Sequence, residues 1–168
     1  FQGVDIRNFY FGTDDVGRDV LSRLIYGARF SLGLGLLVVV VTVLVGGVLG
    51  VLAASFEGLV DQVISRTMDI LLALPSILLA IVVVAVLGPS LVNTVISIAI
   101  VGLPNMVRLV RSSVLIEKRK IYVMALKSCG ASWFRIYIVN ILPNCMAPLI
   151  VQATFGFSDG ILNAAALG

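Results

Sequence analysis

Phe30 to Phe56 is a run of 27 residues without a formal charge, and Ile70 to Val107 is a second run of 38. A helix needs about 20 apolar residues to cross roughly 30 Å of hydrocarbon. The first run is therefore long enough for one crossing. At 1.5 Å per residue the second would be about 57 Å of helix, nearly two bilayers. Gly88-Pro89-Ser90 lies near its middle. Proline lacks a backbone donor and clashes with the preceding turn, so the run reads as a hairpin of two helices. Ile136 to Ser158 is a third uncharged run, with Pro143 and Pro148 near its start. The reading is an all-α polytopic transmembrane bundle forming one domain, with spans at about 30–54, 70–87, 91–107 and 143–163.

A soluble alternative fails on composition. Apolar residues make up 60% of the chain and charged residues 12%, with mean hydropathy +1.12. Soluble domains run near 45–50% apolar and about 25% charged. A 17.8 kDa core could not hide that apolar surface. The chain starts at Phe1 and stops at Gly168 without a polar tail. The expectation is a piece of a longer protein, with about four of six helices.

The charges set the orientation. Residues 1–29 carry Arg7, Arg18, Arg23 and Arg29, balanced by Asp5, Asp14, Asp15 and Asp19. The segment 108–142 carries seven basic residues against the single acid Glu117. Basic residues mark the cytoplasmic side. Residues 108–142 are thus read as a cytoplasmic loop of amphipathic helical pieces with a break at Gly130.

Gly46, Gly50 and Ala54 recur every four residues on the first span. Small residues on one face let helices approach closely in lipid, so this stripe reads as a seam. Few polar groups lie at depth. Those at depth are Asn93, Thr94, Ser97 and Gln152, while Asp69 and Asp159 fall near predicted helix ends and read as interfacial; Asn93, Ser97, Gln152 and Asp159 are the candidates for a translocation path. No chain of carboxylates and no histidine is present for a proton relay.

Catalytic and metal chemistry find no support. Gly156-Phe157-Ser158-Asp159-Gly160 matches G-x-S-x-G, but a serine nucleophile needs a base, and the chain lacks histidine. Cys129 and Cys145 are too far apart for a metal-binding pair. No phosphate-binding loop of the G-x-x-x-x-G-K-[ST] type occurs. If nucleotide energy is used, another polypeptide binds it. The chain is read as no enzyme, binding no cofactor or metal itself.

The stretch Tyr122-Val123-Met124-Ala125-Leu126-Lys127-Ser128-Cys129-Gly130-Ala131-Ser132, followed by Asn140-Ile141-Leu142-Pro143-Asn144, resembles the EAA loop of ABC-importer permeases. The departures are specific. The motif's Glu falls on Met124, its second Ala on Leu126, and a frequent His on Asn140. Phe11-Gly12-Thr13-Asp14-Asp15-Val16-Gly17-Arg18-Asp19-Val20-Leu21-Ser22-Arg23, Asp69 to Ser76 and Ala164 to Gly168 are similar to the C-type permease of dipeptide and oligopeptide importers. Permeases for antimicrobial peptides or nickel share much of this pattern.

The resemblance implies a type I ABC-importer permease in a bacterial inner membrane, importing dipeptides or short peptides. Its implied partners are a homologous second permease, two cytoplasmic ATPase subunits and an extracytoplasmic peptide-binding protein. It also implies a coupling helix lodged in an ATPase groove, with Tyr122, Val123, Met124, Ala125, Leu126 and Gly130 as the contact set. Two readings compete. One is a self-sufficient secondary carrier, which the scarcity of buried charge disfavours. The other is a scaffold whose basic loop rests on anionic lipid.

Overall fold

The computed structural model describes residues 11–12 and 17–167. Arg7, Asp5, Asp14 and Asp15, with part of the Phe11–Arg23 motif and Gly168, lie outside the described residues. The described chain is helical: α1 (Val20–Ser55), α2 (Leu59–Leu72), α3 (Ser76–Leu87), α4 (Leu91–Lys118), α5 (Ile121–Ser128), a π-helical stretch (Arg135–Ile141), α6 (Leu142–Asn144) and α7 (Met146–Leu167). α1 and α4 are long and apolar enough to cross a membrane, and the bent pairs α2–α3 and π–α6–α7 bring the number of possible crossings to four.

Helix boundaries depart from the uncharged runs wherever a charge has a partner. α1 starts at Val20, ten residues before Phe30, because Asp19 caps it, accepting hydrogen bonds from the Leu21 and Ser22 amides at 3.1 and 3.3 Å. α4 continues eleven residues past Val107 to Lys118, so the segment 108–142 begins inside a helix. Three of its basic residues, all on α4, are matched by acids across the fold. Arg108 meets Asp69 at 2.9 Å, Arg111 grips both carboxylate oxygens of Asp61, and Lys118 reaches Glu57 at 2.8 Å. A charge that finds a partner gives a helix no reason to stop.

The crossing expected at 70–87 is not one helix. α2 ends at Leu72, α3 begins at Ser76, and the two meet at a 98° bend. Pro75 causes this, since the residue before proline is pushed out of the helical region. α3 alone has 12 residues, about 18 Å, too short to span. The last crossing is likewise interrupted. Cys145 separates α6 from α7, and the helices on either side bend by 65°. The break at 88–90 lies where the sequence put it. Gly88 ends α3 with φ +87°, a conformation natural only to glycine, and Ser90 caps α4 by accepting the Asn93 amide.

α1 and α4 run parallel in constant register. A Cβ on Gly46 would meet Met106, and one on Gly50 would meet Val110, sixty residues on in both cases. Ala54 is fully buried one turn further. The small-residue stripe is thus the seam between these two helices. α7 runs antiparallel beside them, with Gly35 against Phe157 and Ile161 and Gly160 against Val38. Outward-facing positions of α1, such as Leu36, Leu44 and Val48, are exposed and apolar. A surface of that kind suits hydrocarbon, where the backbone's bonds must be met internally, as the helices meet them.

Candidate functional site

Two features stand out at different heights of the bundle. The first is α5, a short helix at the basic end. It begins two residues after α4 and ends in a Schellman turn. Gly130 adopts φ +74°, its amide bonds the Lys127 carbonyl, and the Ala131 amide reaches back to Leu126, both at 3.0 Å. The helix is fixed by one face. Val123 is fully buried with Val110, Val114, Ile136 and Ile141. Tyr122 and Leu126 pack at the edge of that cluster. The opposite face is apolar and bare, with Ile121 85% and Met124 59% exposed.

Glu117 joins α5 to α4. Its carboxylate is 6% exposed, accepts the Tyr122 hydroxyl at 2.9 Å and pairs with Lys120 at 2.7 Å. Asn144 of α6 donates to the same tyrosine oxygen at 3.2 Å. The hydrogen bond from Lys120, opposed by partial desolvation and aided by Tyr122, holds the Glu117 carboxyl below the ordinary glutamate range. Nearby, Trp133 lies between Phe56 and Tyr137, with ring centroids 5.8 and 5.3 Å away. Lys118 sits over the Tyr137 ring and donates to the Ala54 carbonyl at 3.2 Å. The ends of α1, α4 and α5 are therefore laced into one block.

The second feature is a groove of about 300 Å³ between α1, α4, α7 and the α2–α3 bend. Its polar lining is Thr42, Ser76, Asn105, Gln152, Asp159 and Asn163. Thr42 is near the midpoint of the first uncharged run.

A family model described as "Binding-protein-dependent transport system inner membrane component" matches residues 46–168, most of the chain, which takes in α5 and all of the groove except Val38, Val39, Thr42 and Val43 of α1. The chain belongs to this family of bacterial inner-membrane transport components. It is 56% identical over 160 residues to the di/tripeptide transport system permease protein DppC of Pseudomonas aeruginosa (strain UCBPP-PA14), covering 95% of this chain and 53% of the relative. It is 57% identical over 157 residues to the dipeptide transport system permease protein DppC of Escherichia coli (strain K12), covering 94% and 52%. For the protein of that name from Haemophilus influenzae the identity is 47% over 160 residues, covering 95% and 54%. The chain spans about half the length of the curated relatives it matches.

Within this inner-membrane component the site residues read from sequence divide sharply. Of the contact set, Met124, Ala125 and Gly130 are exposed on the free face and edge of α5, and Tyr122 and Leu126 are half-buried. Val123 is turned inward and belongs to the chain's own core, because its position on the helix faces α4 and the π-helical stretch. Ile121 is the large exposed side chain that sequence reading passed over.

Of the path set, Gln152 and Asp159 line the groove. Asn93 and Ser97 do not. The Asn93 side chain donates to the Leu87 and Gly88 carbonyls at 2.8 and 2.9 Å, and Ser97 is fully buried, donating to the Asn93 carbonyl at 2.6 Å. Both were singled out for polarity at depth, but their bonds are local. Asn93→Ala is expected to cost about 1–2 kcal/mol by freeing two carbonyls. Thermal unfolding of the full-length protein in detergent checks this.

The polar groove members missed were Thr42, Ser76, Asn105 and Asn163. One signal was available: Gln152, Asp159 and Asn163 are spaced by seven and four, a single stripe of α7. The G-x-S-x-G match lies wholly inside α7, so Ser158 sits on a regular helix rather than on a strained turn.

Proposed function

We propose that this chain is the membrane-spanning part of an importer subunit for dipeptides or short peptides, driven by ATP that separate subunits hydrolyse. The three relatives described above are dipeptide or di/tripeptide permeases, which favours peptide over nickel. The observation that carries the coupling half of the reading is α5. It is a short helix locked to α4 on one face and left apolar on the other, at the most basic end of the bundle. An apolar helix face of this kind fits a hydrophobic groove in a partner. Ile121, Met124, Ala125 and the Gly130 edge form the contact.

The rest of the fold then acts as a transmission. A push on α5 moves Val123 and Glu117, hence α4, and through the glycine seam α1. Rigid-body movement of packed elements is a common route to alternating access. The groove lined by Gln152 and Asp159 lies where that movement would open and close a polar passage. A homologous second permease and an extracytoplasmic peptide-binding protein complete the assembly.

Gly130→Asp tests the coupling. A side chain at φ +74° strains the turn that ends α5, and the new charge sits on the docking edge. Peptide uptake by the complete transporter should fall at least tenfold, and the ATPase subunits should no longer co-purify, while membrane insertion persists. Normal uptake with retained ATPase subunits would refute the role given to α5.

A further inference from the structure

Each acid of the described residues has a fixed partner except one. Glu57, Asp61, Asp69 and Glu117 are paired with Lys118, Arg111, Arg108 and Lys120, and Asp19 caps α1. No cation among the described residues reaches the carboxylate of Asp159, although its main-chain carbonyl accepts a bond from Asn163 at 2.8 Å. This carboxylate, on an exposed residue of α7, lines the groove together with the amide-bearing residues Gln152 and Asn163 on its own helix and Asn105 on α4. Gly156 and Gly160, adjacent to it on α7, leave the wall beside it without side chains. An acid in an apolar helix, open to a groove and without a cation of its own among the described residues, is placed to meet a positive group that enters.

The geometry points to a ligand that brings its own cation and its own amide groups. We propose that Asp159 receives the α-ammonium of the transported peptide, with the Gln152, Asn105 and Asn163 amides positioned for its peptide bond and carboxylate. The volume of about 300 Å³ lies at the small end of ligand cavities, which suits a short peptide better than a long one. The charge arithmetic also fits a passage rather than a trap. One carboxylate selects for a positive group at the leading end, and neutral amides elsewhere bind the remainder weakly enough for release. This assignment rests on the peptide-importer reading and names the group that the passage recognises.

The test uses the complete transporter in proteoliposomes, with its ATPase subunits and peptide-binding protein, and radiolabelled alanyl-alanine as the probe. The readout is peptide taken up per ATP hydrolysed, with co-purification of all subunits as a check on assembly. Asp159→Asn, which keeps size and removes charge, should lower that ratio tenfold or more in an intact assembly. Asp159→Glu should restore most of it. An unchanged ratio in Asp159→Asn overturns the assignment while leaving the importer reading standing. Equal loss in the Asn and Glu variants, or loss of subunits from the complex, also overturns it, because charge would then not be what matters. Failure of the wild-type assembly to take up alanyl-alanine would instead remove the importer reading, and this assignment with it.

Discussion

Gly50→Val is expected to be the most damaging single substitution in the bundle. A Cβ at Gly50 would lie 2.6 Å from the Val110 Cβ and 2.9 Å from the Val107 carbonyl oxygen. Those are closer than side-chain carbons come to any atom, and one of the obstacles is backbone, which cannot rotate away. Relief requires α1 and α4 to part. They are held together on both sides of the site, by Gly46 against Met106 and by Ala54 in the core. Separation would forfeit the contacts of the whole seam, and in lipid those contacts are the main source of helix association. Overpacking of this kind costs about 3 kcal/mol. The full-length protein in detergent should melt roughly 6–12 °C lower than wild type. Gly47→Val is the control, since nothing lies within 4 Å of a Cβ there. If the two variants melt together, the seam is not where the helices are pinned. Val110→Gly, which removes the Cβ that Gly50→Ala would strike, should partly rescue Gly50→Ala, a coupling that a double-mutant cycle would measure.

Glu117→Ala should produce the second-largest effect, and on coupling rather than on overall folding. The carboxylate accepts the Tyr122 hydroxyl, and a bond of that kind to a charged group contributes about 1.5–3 kcal/mol. Its loss leaves α5 tied to the bundle by Val123 and the edge contacts alone. The fraction of time that α5 is correctly seated should fall by roughly tenfold to a hundredfold. Amide hydrogen exchange over Ile121–Ser128 should rise by that factor, and uptake per ATP should drop with it, while α1 and α4 stay protected. Exchange unchanged in this segment would show that Glu117 does not anchor it. The acid limb of the stability profile carries the same signature. Folding lowers the pKa of this group, so its contribution is fully present above the ordinary glutamate pKa and disappears as pH falls through the folded value. Glu117→Ala should lower stability at neutral pH and flatten that limb, leaving the acid end of the profile unchanged.

Glu117 also shows why part of the site was hard to read in one dimension. The family motif expects its acid where this chain has Met124, and the sequence alone suggests that the anchoring charge is missing. In the fold an acid seven residues earlier pairs with Lys120 and Tyr122 and ties α4 to α5. The hint was the lone acid in a stretch of seven bases. The groove was half legible for a similar reason. Gln152 and Asp159 are isolated polar residues in an apolar helix and advertise themselves. Asn163 completes their stripe on α7, whereas Thr42, Ser76 and Asn105 join them only because other helices lie beside α7 at that height. Asn93 and Ser97 advertised themselves equally and proved to serve a local turn.

The succession of apolar lengths, turn residues and basic clusters was enough by itself to define a helical membrane protein, its glycine seam, its break at Gly88 and its family. These are properties of neighbours along the chain, and hydrophobic length and backbone freedom act locally. What only the tertiary structure decided is which charges are matched and which is left over. The pairing of Arg108 with Asp69, the bend at Pro75, the inward turn of Val123 and the solitary carboxylate of Asp159 all depend on helices far apart in sequence lying side by side. Electrostatic and steric partners are set by distance in space, which the order of residues does not contain.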